Sequence, residues 1–261
     1  MRRLIVEQPI SNAALWSGRV GVFAFAATLM SVGLARVAGA DPLSALSVFG
    51  AALVLALLAL LLAGSAAVVI WRTGRKGVAQ ATLGLALSLG LLAYPAYLTV
   101  LTFELPPIND VSTDPENPPG FMISTKAREA RGRLPAPPPP SESARAAQKA
   151  AYPDIQPILA DLEAPQAYQL SLRIAKDLGW KVVDSTPPNF LRGDGVAHID
   201  AISKSAVFGF ADDIAIRITP LTNQTRIDLR AVSRVGRHDF GANARRIRKF
   251  IAAAQDSLQE R

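Results

Sequence analysis

The densest set of side chains able to do chemistry lies just ahead of the last helical stretch. There Arg234, Arg237, His238 and Asp239 are followed by Asn243, Arg245 and Arg246. Guanidinium groups offer planar forks of donors that match carboxylates and phosphates, and a helix start adds free N–H groups. With Arg217 and Arg230 from the preceding strands, the candidate ligand-binding set is Arg217, Arg230, Arg234, Arg237, His238 and Asn243. Its chemistry is the capture of a small anion or a lipid headgroup. A structural reading competes: Asp239 is placed to cap the helix, and Arg234 and Arg237 have Asp212, Asp213 and Asp228 as internal partners.

Other residues invite catalytic readings that their spacing does not support. Asp212 and Asp213 are adjacent on a strand and point to opposite faces, so they cannot easily act together on one substrate. Asp110, Asp114 and Glu116 lack the spacing of a calcium loop and suit turns in a proline-rich segment. His198 and Asp200 share a strand face as a base and its orienter would, but no third member is apparent. Ser203, Ser205 and Ser233 lie in no nucleophile motif, and no phosphate loop, dinucleotide fingerprint or His-Glu-x-x-His is present. Phe208-Gly209-Phe210 is read as a tight apolar turn or a pocket wall. Cysteine is absent, which removes thiolate chemistry and disulfides, and no cofactor is implied.

The elements that position these residues fall in the second half of the chain. Strands are expected at Trp180 to Val183, Val196 to Lys204, Asp213 to Thr219 and Thr225 to Val235, the last three alternating apolar and polar side chains. Helices are expected from Ala164 to Leu178, with Gly179 beyond its end, and from Gly241 to Leu258. The order helix, four strands, helix predicts an α+β domain over residues 158–261, a four-stranded antiparallel sheet with one face covered by helices. Residues 104–157 hold 12 of the 19 prolines and read as a proline-rich linker or strap.

Residues 1–103 are expected to be a membrane domain. Leu43 to Trp71 contains no charge, and its only polar side chains are three serines, which makes it a membrane span. Apolar stretches at about 20–40 and 78–103 give a total of three transmembrane helices. Ala38-Gly39-Ala40 has the form of a signal-peptidase site, although the long basic leader and the two following spans favour an uncleaved helix. Arg72, Arg75 and Lys76 crowd a short loop, and the positive-inside rule makes that loop cytoplasmic. Three crossings then place the carboxyl half in the periplasm of an inner-membrane, multi-pass protein. Glycines 21, 33, 50, 64, 84 and 90 are candidates for close helix approach, against ordinary glycine frequency in spans. The membrane half carries 7 basic and 2 acidic residues against 21 and 19 after it, so the net +7 reports topology and not nucleic-acid binding.

Several segments carry a family likeness: residues 108–114, Tyr152-Pro153-Asp154, Phe208 to Arg217 and Ser233 to Ile247. Over about residues 104–257 the chain resembles the DUF1499 family, and the resemblance implies a domain type without implying a reaction. On these residues the favoured function is non-enzymatic, the binding of an envelope lipid, a small anion or an envelope protein partner. The alternatives are an envelope hydrolase-like enzyme using a cleft of Arg217, Arg230, Arg234, Arg237 and Asp213, or a structural assembly factor working through its membrane helices.

Overall fold

Long uncharged stretches have no means of satisfying their backbone in lipid except as helices. The structure, a computed structural model, describes residues 8–36, 41–189, 191 and 193–259. It divides into two units, residues 1–100 with 206–209, and residues 101–205 with 210–261. Helices α1 (Asn12–Arg36), α2 (Pro42–Thr73) and α3 (Val78–Glu104) are, among the described residues, the three long and apolar enough to cross a membrane. The chain is therefore a multi-pass membrane protein. The Ala38-Gly39-Ala40 segment lies outside the described residues.

Small side chains let the three helices approach one another. The buried positions of α2 are Ala45, Ala52, Ala56, Ala59, Ala63 and Ala66, a single alanine face. The Ser17 hydroxyl of α1 donates to the Ala59 carbonyl at 3.2 Å, and that of Ser31 donates to the Ala45 carbonyl at 2.5 Å. At Gly84 a Cβ would come within 1.9 Å of Ser17 Oγ and 2.7 Å of the Ser17 backbone, so only glycine fits. Glycines 33, 50, 64 and 90 meet nothing within 4 Å. Ahead of α1, the Ser11 N–H donates to the Lys76 carbonyl at 2.9 Å, which sets Arg72, Arg75 and Lys76 at the end of the bundle where α1 begins.

The second unit contains β1 (Asp110–Ser112), α4 (Thr125–Ala130), α5 (Glu142–Ala151), β2 (Ile158–Ala160), α6 (Ala164–Asp177), β3 (Lys181–Thr186), β4 (Ala197–Lys204), β5 (Ala211–Pro220), β6 (Thr225–Ser233) and α7 (Ala242–Gln259). The sheet has six strands and not the expected four, in the order β1-β6-β5-β4-β3, with β2 also on the free edge of β6. Both extra strands are three residues long and lie within or just after the proline-rich stretch, too short for alternation to reveal. All pairings are antiparallel. The unit remains an α+β domain.

One face of the sheet builds the core. Ile199, Ile216 and Leu229 align across three strands, as do Ala201, Ile214 and Ala231. Leu170 and Ile174 of α6 and Ile247 and Phe250 of α7 pack on this face, with Trp180 stacked on Phe250 at 5.6 Å between ring centroids.

The opposite face carries the charges, and it is buried as well. Residues 113–140 run across it: Phe121 packs on Ala215 and Val232, and the Met122 N–H donates to Asp200 Oδ2 at 2.9 Å. The Gln148 side chain of α5 exchanges both hydrogen bonds with the Ser112 backbone, at 3.0 and 2.6 Å, so an amide takes the place of a further strand. The proline-rich stretch therefore makes a third layer over the sheet.

Candidate functional site

Alternation sets Asp200, Asp213, Arg217, Asp228 and Arg230 on one face, where β4, β5 and β6 hold them in register. Each is matched. Arg230, 2% exposed, makes a bidentate pair with Asp110 at 3.0 and 2.7 Å and also donates to the carbonyls of Pro119 and Pro138. Arg234 grips Asp213 at 3.0 and 2.7 Å and donates to the Ala130 carbonyl. Arg217 meets Asp228 at 3.0 Å, and Arg226 joins Asp228 to Asp114. Asp212 points to the other face, where Arg246 of α7 takes it at 2.6 Å. The two neighbouring aspartates thus serve different layers.

The start of α7 is closed by its own side chains. Asp239 accepts from the N–H groups of Gly241 and Asn243 at 2.8 and 2.9 Å, and burial holds its carboxyl above the ordinary range against the lowering effect of those bonds. Asn243 donates to the Asn109 carbonyl and to Ser233 Oγ, both at 3.0 Å, and accepts from Arg246. His238 stacks on Phe240 and accepts the Phe240 N–H through Nδ1, while its buried Nε2 has no partner. The free N–H groups that a ligand would need are occupied. His198 does not engage Asp200, whose partners come from the strap, and burial followed by the nearby Arg217 lowers the His198 pKa. Phe208-Gly209-Phe210 belongs to the turn between β4 and β5, with Gly209 at φ +70°.

Arg237 differs from the other arginines in the candidate set. It is exposed, and no described residue bonds to it. It stands on the lining of a groove of about 560 Å³ whose wall is formed by Pro107, Ile108, Leu134 and the prolines at 137–140. The acids of that lining, Asp110 and Asp213, are neutralised by Arg230 and Arg234. A second cleft of about 470 Å³ is lined by Glu116, Lys149, Asp114 and Arg226, which pair among themselves at 2.5 and 2.6 Å.

Sequence reasoning passed over Arg131. Its Nη1 meets Asp200 at 3.3 Å, both residues are 4% exposed, and Arg131 Nε and Asp200 Oδ1 have no partner. Burial raises Asp200 to about 6, against the lowering by the Met122 N–H and Arg131. No local signal marks this pair, since its members lie 69 positions apart.

The family described as "Protein of unknown function (DUF1499)" matches residues 110–253, more than half of the chain. The chain belongs to the DUF1499 family. The DUF1499 match begins at the first residue of β1 and ends within α7, so it includes the proline-rich layer and its ion pairs along with the sheet. No curated protein and no solved structure shows a significant match. Among the described residues no group of three or more His, Asp or Glu side chains is placed to hold a metal ion.

Proposed function

We propose that this protein is an inner-membrane anchor carrying its DUF1499 domain in the periplasm, and that the domain is a non-enzymatic module binding an anionic group at Arg237. Arg237 carries this reading, because it is the one arginine of the candidate set with no partner among the described residues and it borders a groove. Arg217, Arg230 and Arg234 hold the fold together through Asp228, Asp110 and Asp213. Acid–base catalysis requires ionisable groups free to exchange protons with a substrate, and the acids of the groove are engaged in ion pairs. The orientation is supported by the basic loop beside the start of α1, where short loops obey the positive-inside rule most closely. Membrane lipids are the partners of the helical unit.

The test is Arg237→Ala in the full-length protein, with inorganic phosphate binding followed by titration calorimetry. At least a tenfold loss of affinity is expected, with thermal unfolding unchanged because no internal bond is removed. Unaltered binding would refute the assignment.

A further inference from the structure

We infer that the anion held at Arg237 is the headgroup of a single-chain amphiphile, an alkyl phosphate or carboxylate whose hydrocarbon tail lies along the proline wall. This rests on the reading of Arg237 given above. A groove of about 560 Å³ is of the size that takes a drug-sized ligand, and a bare phosphate leaves most of it unfilled. Ile108, Leu134 and Pro137 to Pro140 present no side-chain donor, and proline has no backbone N–H to offer. That wall gives an anion nothing to bind and suits a methylene chain, each buried CH₂ adding roughly fourfold to affinity. Charge adds the second half of the argument. The carboxylates of the lining are each matched by an arginine, so among the described residues the one uncompensated charge at the groove is the Arg237 guanidinium. One cation beside an apolar channel is complementary to one acid group on an apolar chain.

Pro107 of the groove lies three residues beyond Glu104, the last residue of α3, so the covalent connection keeps it within about 11 Å of the end of an apolar helix. Leu134, on the same lining, is 54% exposed and offers the tail an apolar entrance.

The probe is dodecyl phosphate with a photoreactive chain, added to full-length protein in phosphatidylcholine nanodiscs, with the adducts mapped by mass spectrometry. Adducts are expected within residues 134–141, falling at least tenfold in Arg237→Ala and persisting in a large excess of inorganic phosphate. Leu134→Gln, a polar and uncharged change at an exposed position, is expected to weaken dodecyl phosphate at least fivefold while leaving inorganic phosphate binding within twofold. If inorganic phosphate binds at Arg237 as tightly as dodecyl phosphate, the tail has no site and the inference fails, while the anion reading stands. If neither binds, both fail. Labelling of the wild type by photoreactive dodecanol as strong as by dodecyl phosphate would also overturn the inference, since the headgroup would then contribute nothing.

Discussion

Asp200 is a carboxylate under a lid of protein, and its protonation is coupled to folding. Its pKa rises from an ordinary 3.8 to about 6, chiefly through burial. The folded state therefore holds a proton that the unfolded chain releases between about pH 4 and pH 6. The stability this contributes is fully present below pH 4 and is lost as pH rises through 6, by roughly 3 kcal/mol in total. Asp200→Asn keeps an acceptor for the Met122 N–H and removes the titration. Urea unfolding at several pH values is expected to show the variant gaining on wild type between pH 4 and pH 7, and a constant difference would contradict the coupling. Arg230 poses the opposite case. Arg230→Ala leaves Asp110 charged and without its bidentate partner beneath the proline layer, and a loss of about 3–5 kcal/mol in chemical denaturation is expected. A loss under 1 kcal/mol would mean that Asp110 finds water in the variant.

At the scale of elements, the strands that decide the sheet's free edge are its shortest. β1 and β2 sit end to end along β6, and the amide of Gln148 closes the outer side of β1. A six-strand sheet therefore depends on a helix and two three-residue segments that have no period of their own. In the membrane unit the equivalent decision lies with α3, where Gly84 lies against Ser17. Gly84→Leu is expected to cost about 1–3 kcal/mol through overpacking, read as a lowered unfolding temperature of the full-length protein in nanodiscs. Gly90→Leu, at an open position, is the control and is expected to change stability by less than about 0.5 kcal/mol. Equal effects at the two sites would remove any special role for Gly84.

For the whole molecule, three spans and a basic loop between α2 and α3 make orientation a measurable quantity. The chain has no cysteine, so Lys149→Cys introduces a unique label site at an exposed position. A membrane-impermeant maleimide is expected to react from the periplasmic side of spheroplasts without lysis. Reaction only after the inner membrane is opened would place the DUF1499 domain in the cytoplasm and remove the basis for an envelope ligand.

Local chemistry made a good part of this protein legible in advance. Uncharged runs of span length mark the membrane helices, and strict alternation at Ile214, Ile216 and Ile218 marks a strand with a buried face, because the solvent on each side acts on single residues. Asp212 and Asp213 were separable for the same reason, as neighbours on a strand face opposite ways. The tertiary structure alone decided what became of the polar face. Alternation treats a charge as a mark of water, yet Arg230 is buried because its partner Asp110 arrives from a segment 120 positions away, which no local pattern encodes. It also separated the arginines: Arg217, Arg230, Arg234 and Arg237 look alike along the chain, and only the folded geometry leaves the last of them without an aspartate.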